Sequence, residues 1–174
     1  AERARELIVK TILQEYLQPY GLPVCPTRLW PVLDDSTHHV SLLWNQMIVE
    51  GLLAYGYRQE AVMLIERMMQ AVILSLKSSH QVSTCYHAAT GRGSGDRGSL
   101  QGLAPLGLLL QTIGLRLLTT KKAVIEGFNP FPWPINVQYR GTKIYFESQS
   151  TRFELPNGHV VTIVDSKRHV IRLP

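Results

Sequence analysis

The stretch VSLLWNQMIVEGLLAYGYRQEAVMLIERMMQAVILSL, residues 40–76, decides the fold class that the sequence predicts. Apolar residues recur at three- and four-residue spacing on both sides of the turn AYGYRQ, which is the pattern of two amphipathic helices. Gly56 ends the first helix, and the second runs from Glu60 to Leu76. Because the connection is short, we expect the two helices to pack as an antiparallel helical hairpin.

The segments before this hairpin predict one further helix and a proline-rich loop. In AERARELIVKTILQEYL, residues 1–17, apolar side chains recur at helical spacing, and Pro19 and Gly21 end the helix. Four prolines then interrupt PYGLPVCPTRLWPVLDDS, residues 19–36, and forbid a regular helix there. Because the chain opens in full helical period without an initiator Met or a signal peptide, we expect it to be cut from something longer.

The segments after the hairpin predict a loop, a short helix and a β-rich tail. HQVSTCYHAATGRGSGDRGSL, residues 80–100, has the glycine and serine content of a loop. Pro105 suits the first turn of a helix that ends at Gly114, and beyond it the hydrophobic period changes from about 3.6 to about 2. The predicted fold is therefore mainly α with a β tail: a helical domain over residues 1–114 and an antiparallel β-rich appendage over residues 115–174.

The charges and cysteines of the chain exclude several classes of function. The formal net charge is +5, but the basic residues are scattered among acids, which is typical of a solvated surface and not of a nucleic-acid site. No run of about 20 apolar residues is present to span a membrane. Cys25 and Cys85 are too far apart for zinc-ligand spacing or a disulfide framework. We therefore expect neither nucleic acid nor a membrane as a partner, and the cytoplasm is favoured as the compartment.

Three groups of polar residues invite a chemical interpretation. The glycine-rich loop GRGSGDRG follows a helix and lacks a GK[ST] ending, so a phosphate site is not indicated. His38 and His39 start a predicted helix, and His87 stands apart in the glycine-rich loop. Metal ligation by such isolated positions would need a third ligand that the sequence does not nominate, so we predict no metal and no cofactor. Hydrolysis by paired carboxylates has four candidate acids, Asp34, Asp35, Glu50 and Asp96. For Asp34 and Asp35 the alternative is stabilisation of a helix N-terminus.

Aromatic and amide side chains favour carbohydrate as the ligand class. Trp44 with Asn45, Trp30, and Tyr86 with His87 supply aromatic faces for pyranose rings and polar groups for hydroxyls. Aromatic residues at helical spacing are also typical of a core, so the residue types alone leave both interpretations open.

Four motifs, in their order along the chain, resemble the C-terminal end of the six-hairpin glycosidases. The resemblance extends from about Tyr20 through Arg140 and is nearest to the mannosylglycerate-hydrolase-like and glycogen-debranching-like branch. NPFPWP, residues 129–134, is the most distinctive piece. The motifs are YGLPVCP, VSLLWNQMIVEGLLAYGYRQEAV, STCYHAATGRGSGDRGSLQGLAPLGLLL and GFNPFPWPINVQYRG.

This resemblance implies a fold and a set of substrate contacts. Residues 1–114 would be the last helical hairpins of an (α/α) six-hairpin barrel, and residues 115–174 its small antiparallel β appendage. The family's partners would be a carbohydrate and the missing N-terminal part of the same domain. The implied substrate-binding residues are Trp30, Trp44, Asn45, Tyr86 and His87.

The resemblance also implies inverting hydrolysis of an α-glucoside- or mannoside-like substrate, with one carboxylic acid and one carboxylate base. The general acid is expected upstream of this chain. Thr84 occupies the position where relatives carry a Glu base, and a threonine cannot serve as a base near neutral pH. We therefore expect the chain to be inactive alone.

Three alternatives remain open from the sequence. The first is a non-catalytic carbohydrate-binding or structural remnant of the same fold, which Thr84 favours. The second is a helical repeat module for protein interaction, although no internal period is visible. The third is a nucleic-acid adaptor, which the scattered charges oppose.

Overall fold

The computed structural model describes residues 2–103 and 105–174, and the chain divides into two compact units, Ala1–Pro105 and Leu106–Pro174. The division precedes the predicted boundary after Gly114 because the short helix Leu106–Thr112 belongs to the second unit. Within the described residues, no helix combines the length and the hydropathy that a membrane crossing requires.

The predicted helical hairpin is present at the centre of the first unit. It consists of α2, Leu42–Ala54, and α3, Arg58–Ser79. At the end of α2, Gly56 adopts a φ of 82°, and the backbone N–H of Tyr57 donates to Leu52 O at 2.8 Å. This is the hydrogen-bond pattern of a glycine-terminated helix, and it turns the chain directly into α3. The hairpin buries Val49, Leu52, Leu64, Ile65 and Met68.

The N-terminal helix of this unit begins as α1, Glu2–Glu6, and continues as a π-helical segment, Leu7–Tyr16. The proline-rich loop that follows contains two 3₁₀ turns, Thr27–Val32 and Asp35–His38. Pro31 lies inside the first of them. The sequence correctly excluded a regular α-helix here, since proline removes a backbone donor.

The first unit also contains an antiparallel sheet of three strands, which lie side by side in chain order. The predicted glycine-rich loop is therefore wrong over about half of its length, because residues 83–87 and 93–97 form two of these strands. Gly93 allows the backbone of the second of these segments to approach Ser83 closely, since a Cβ at position 93 would overlap Ser83 Oγ. The strands are β1 His39–Val40, β2 Ser83–His87 and β3 Gly93–Arg97, and a 3₁₀ turn, Leu100–Gly102, follows them.

The second unit opens with α4, Leu106–Thr112, and continues as two antiparallel sheets, so the predicted antiparallel tail is confirmed. The strands are β4 Leu115–Leu118, β5 Lys122–Glu126, β6 Ile135–Tyr139, β7 Thr142–Phe146, β8 Thr151–Glu154, β9 Val160–Ile163 and β10 Arg168–Arg172. Their orders in the two sheets are β10-β5-β4 and β6-β7-β8-β9.

The NPFPWP segment has a structural explanation within this unit. Asn129 Nδ2 donates to Trp133 O at 2.7 Å and to Phe146 O at 3.2 Å, and Asn129 Oδ1 accepts from Phe131 N at 3.0 Å. Phe131 is buried and stacks on the half-exposed ring of Trp133 at a centroid distance of 5.3 Å. One buried amide thus closes a proline-rich turn whose backbone cannot form regular hydrogen bonds.

The predicted fold class is wrong. A mainly α chain made of the last hairpins of an (α/α) six-hairpin barrel is contradicted by a mixed structure in which ten strands form three antiparallel sheets within the described residues. The described part of the first unit holds a single α-helical hairpin, α2 with α3. The helical period correctly identifies α2 and α3. Strands that lack alternating apolar residues, in contrast, give no periodic signal in the sequence.

We predict that the second unit loses stability in acid partly through Asp165. Hydrogen bonds from the His169 ring and from Lys167 N lower the pKa of this carboxyl below its ordinary value of 3.8. A depressed folded-state pKa contributes stability above the ordinary value, and that contribution is lost as the pH falls through the folded-state pKa. Thermal midpoints followed from pH 5 to pH 2 should therefore fall less in Asp165→Asn than in the wild type. If the thermal midpoints of the variant and the wild type fell equally with pH, Asp165 would make no such contribution to stability.

Candidate functional site

Four ionisable side chains meet at one edge of the β1-β2-β3 sheet. His39 in β1 lies opposite His87 in β2, and the 3₁₀ turn before β1 adds Asp35 and His38. Asp35 Oδ1 lies 3.2 Å from His38 Nδ1 and 3.5 Å from His87 Nε2, while Asp35 Oδ2 lies 3.8 Å from His39 Nε2. We call these four residues the Asp35 cluster.

Trp30 supports this cluster from the proline-rich loop. Its ring stacks on His38 at a centroid distance of 4.3 Å and an interplanar angle of 27°, and it meets His87 edge-on at 6.3 Å. Trp30 Nε1 donates to Cys25 O at 3.3 Å. One face of the Trp30 indole is therefore occupied by His38, and the stacking fixes the orientation of that imidazole.

A hydrogen bond behind the His87 ring indicates where its proton lies. Ala89 N donates to His87 Nδ1 at 3.1 Å, so a neutral His87 carries its proton on Nε2, facing Asp35. His39 Nδ1 lies 3.4 Å from Ser94 Oγ. Burial lowers the pKa of His39, and the Asp35 carboxylate partly opposes that effect. The imidazoles thus converge on the carboxylate of Asp35, whose side chain is 76% exposed and open to a ligand.

Beside the cluster lies an apolar groove of about 420 Å³, which we call the Trp44 groove. The Trp44 side chain is 64% exposed at this groove. His39 lines the groove and belongs to the Asp35 cluster as well, so the two features share one residue. The principal lining residues are Tyr16, Leu22, His39, Ser41, Trp44 and Ile48.

Asn45, a predicted substrate contact, holds the groove together from inside. Its Oδ1 accepts from Leu22 N at 2.8 Å, and its Nδ2 donates to Leu22 O and Ser41 O, both at 2.9 Å. The side chain is only 1% exposed. Its donors are both used, so Asn45 joins α2 to the proline-rich loop and has little left to offer a ligand.

Tyr86, another predicted contact, is fully buried behind the cluster. Its hydroxyl donates to Gly102 O at 2.8 Å and accepts from Ser83 N at 3.4 Å, and burial raises its pKa. Thr84 Oγ1 donates to Asp96 O at 3.3 Å, so the position of the expected Glu base holds a hydrogen-bonded hydroxyl. The structure brings Trp30 and His87 together and exposes Trp44, whereas Asn45 and Tyr86 lie behind these residues as supports.

Sequence reasoning missed the Asp35 cluster as a unit. Asp35 has a sufficient explanation at a predicted helix start, and His38 and His39 are separated from His87 by almost fifty residues. The residues meet because β1 pairs with β2, but β1 is two residues long and carries no periodic signal. Comparison of the chain with protein-family models, with curated proteins and with solved structures found no match.

Proposed function

We propose that this chain takes part in glycoside hydrolysis, with the Trp44 groove binding an α-glucoside- or mannoside-like carbohydrate, and that it is inactive alone. One observation carries the proposal: an exposed indole in an apolar groove that is also lined by His39, whose ring lies 3.8 Å from the Asp35 carboxylate. Pyranose rings have apolar faces that stack on an aromatic ring and hydroxyls that require nearby polar groups. The Trp44 groove and the Asp35 cluster supply both.

The size of the groove supports a ligand of one or a few sugar rings. Small-molecule sites typically have volumes of about 300–1,000 Å³ and an apolar lining with a few oriented polar groups. The Trp44 groove, at about 420 Å³, falls in this range. Its polar edge contains Ser41 and His39, and His39 leads to Asp35.

A second candidate is carbohydrate binding without hydrolysis by this chain. Inverting hydrolysis needs two carboxyl groups about 6.5–9.5 Å apart. Among the described residues of the Asp35 cluster there is one carboxylate, and Thr84 provides none. Hydrolysis by this site would therefore draw its acid from another segment. Assays for the release of free sugar from α-gluco- and manno-oligosaccharides, beside measurements of binding to the same compounds, separate the two candidates.

We predict that the chain binds gluco- or manno-oligosaccharides and that Trp44→Ala weakens this binding by about tenfold, since aromatic stacking contributes up to about 1.5 kcal/mol beyond buried area. Isothermal titration with a panel of α-gluco- and manno-oligosaccharides measures the affinities. Trp133→Ala is the matched control, because Trp133 is also an exposed indole but lies in the second unit. Equal affinity in the wild type and Trp44→Ala, or no binding to any sugar of the panel, would contradict the proposal.

A further inference from the structure

We propose that Asp35, His38 and His87 form a binding site for a divalent first-row transition-metal cation such as Zn²⁺. One ligand atom from each of these residues lies within 4.8 Å of the other two. Asp35 Oδ1 lies 3.2 Å from His38 Nδ1 and 3.5 Å from His87 Nε2. A tetrahedral ion at about 2.05 Å from its ligands holds the ligand atoms about 3.3 Å apart, so these two edges already have a suitable length.

The donor set determines the class of ion. Imidazole nitrogens suit Zn²⁺, Co²⁺ and Ni²⁺, and a single carboxylate oxygen completes a site with two histidines and one acid. Calcium and magnesium are disfavoured because they prefer sites made of oxygen ligands. His39 Nε2, which lies 3.8 Å from Asp35 Oδ2, is near enough to supply a fourth ligand after a small movement. Otherwise a water or a substrate oxygen takes that place.

The surroundings already hold most of the ligands in position. Trp30 stacks on His38, and His87 is fixed by the pairing of β2 with β1. Asp35, with a side chain that is 76% exposed, is free to turn its carboxylate toward an ion. A site of this kind loses little conformational entropy when it binds, because two of its three ligands are ordered beforehand.

Two features oppose the ion: the buried His38 Nε2 has no hydrogen-bond partner among the described residues, and Ala89 N donates a hydrogen bond to His87 Nδ1. With His87 Nδ1 as the acceptor, the ring proton lies on Nε2, and the cation must displace it from that nitrogen. The proton then moves to Nδ1. Ala89 belongs to an exposed turn, so its N–H turns to water. We therefore expect the affinity to fall as the pH is lowered, because protons compete with the ion for His38 and His87.

Titration of the untagged, chelator-treated chain with Co²⁺ and then Zn²⁺ tests the site. We expect one Co²⁺ per chain, seen as a visible absorption band that Zn²⁺ abolishes. Asp35→Ala, His38→Ala and His87→Ala should each weaken Zn²⁺ binding by at least about tenfold. His169→Ala is the matched control, because His169 Nε2 contacts Asp165 at 2.8 Å and that pair belongs to no three-ligand group among the described residues.

The outcomes separate the site from unspecific binding. Absence of Co²⁺ and Zn²⁺ binding, or binding that Asp35→Ala and His87→Ala leave unchanged, would overturn the proposal. Loss of binding in His169→Ala would overturn it as well. Asp35→Asn retains the size of the side chain and removes its charge, so a weakened affinity in this variant with an unchanged circular-dichroism spectrum excludes misfolding as the cause. The ion can bind at this position whether or not a carbohydrate occupies the Trp44 groove, so the two proposals are tested separately.

Discussion

Replacing Gly102 by alanine is expected to destabilise the first unit by about 3 kcal/mol, the upper range for forcing an atom into a packed interior. A Cβ at Gly102 would overlap the carbonyl oxygen of Ser83 and would lie 2.7 Å from its carbonyl carbon and 3.0 Å from its nitrogen. These are backbone atoms of β2, which pairs with β3 through Ser83 and Arg97. The backbone cannot withdraw without disturbing that pairing.

The same substitution should loosen the support of the Asp35 cluster. Gly102 O accepts the hydrogen bond of the buried Tyr86 hydroxyl, and Tyr86 is the residue before His87. Displacement of Gly102 leaves that hydroxyl without its acceptor, and an unsatisfied buried polar group costs about 1–3 kcal/mol. Urea unfolding followed by circular dichroism measures the change in the free energy of unfolding.

Gly51→Ala is the matched control for this measurement. Gly51 lies in α2 of the same unit, and an added Cβ there meets no atom within 4 Å. We expect this variant to be stabilised by up to about 1 kcal/mol, because alanine favours a helix more than glycine does. Equal unfolding midpoints for Gly102→Ala and the wild type would show that Gly102 does not lie against Ser83.

Asn45→Leu is expected to lower the free energy of unfolding of the first unit by about 3 kcal/mol, since it leaves buried backbone polar groups without hydrogen-bond partners. The amide makes three hydrogen bonds, and two of them satisfy the N–H and the carbonyl of Leu22. Leucine has a similar volume and no polar atoms, so the loss measures these bonds and not a cavity. The proline-rich loop should detach from α2 first.

Gln46→Leu provides the comparison for Asn45→Leu. Gln46 is the next residue of α2, and its side chain makes an exposed hydrogen bond to Glu50 at 3.0 Å. We expect its free energy of unfolding to change by less than about 0.5 kcal/mol, as surface substitutions usually do. If Asn45→Leu proved as stable as Gln46→Leu, the amide would be free of Leu22 and available for the substrate contact that its residue type predicts.

The sequence was sufficient for the elements that carry a strong hydrophobic period. Apolar residues recur at helical spacing in residues 42–54 and 58–79, and Gly56 between them ends the first helix, so α2 and α3 could be predicted. The strands beyond Gly114 carry the shorter period of a sheet. β3, with the sequence GSGDR, has no apolar alternation, and its strand conformation depends on pairing with β2. That pairing cannot be inferred from the local sequence.

The candidate site could be predicted by residue type but not by exposure. Trp44 and Asn45 are neighbours on α2, yet the indole lies open at the groove and the amide is buried against Leu22. Tyr86 and His87 are neighbours on β2, and the alternation of a strand buries one and directs the other to the cluster. The contribution of Asp35 depends on a long-range meeting of two segments that no short motif encodes.

The most direct test of carbohydrate binding at the Trp44 groove follows the three indole N–H signals of the ¹⁵N-labelled chain during titration with the saccharide that binds best. The chain has three tryptophans, and Trp133 lies in the second unit. We expect the Trp44 signal to shift most, the Trp30 signal to shift less and the Trp133 signal to stay in place. A Trp44 signal that does not move at saturating saccharide would contradict carbohydrate binding at the Trp44 groove.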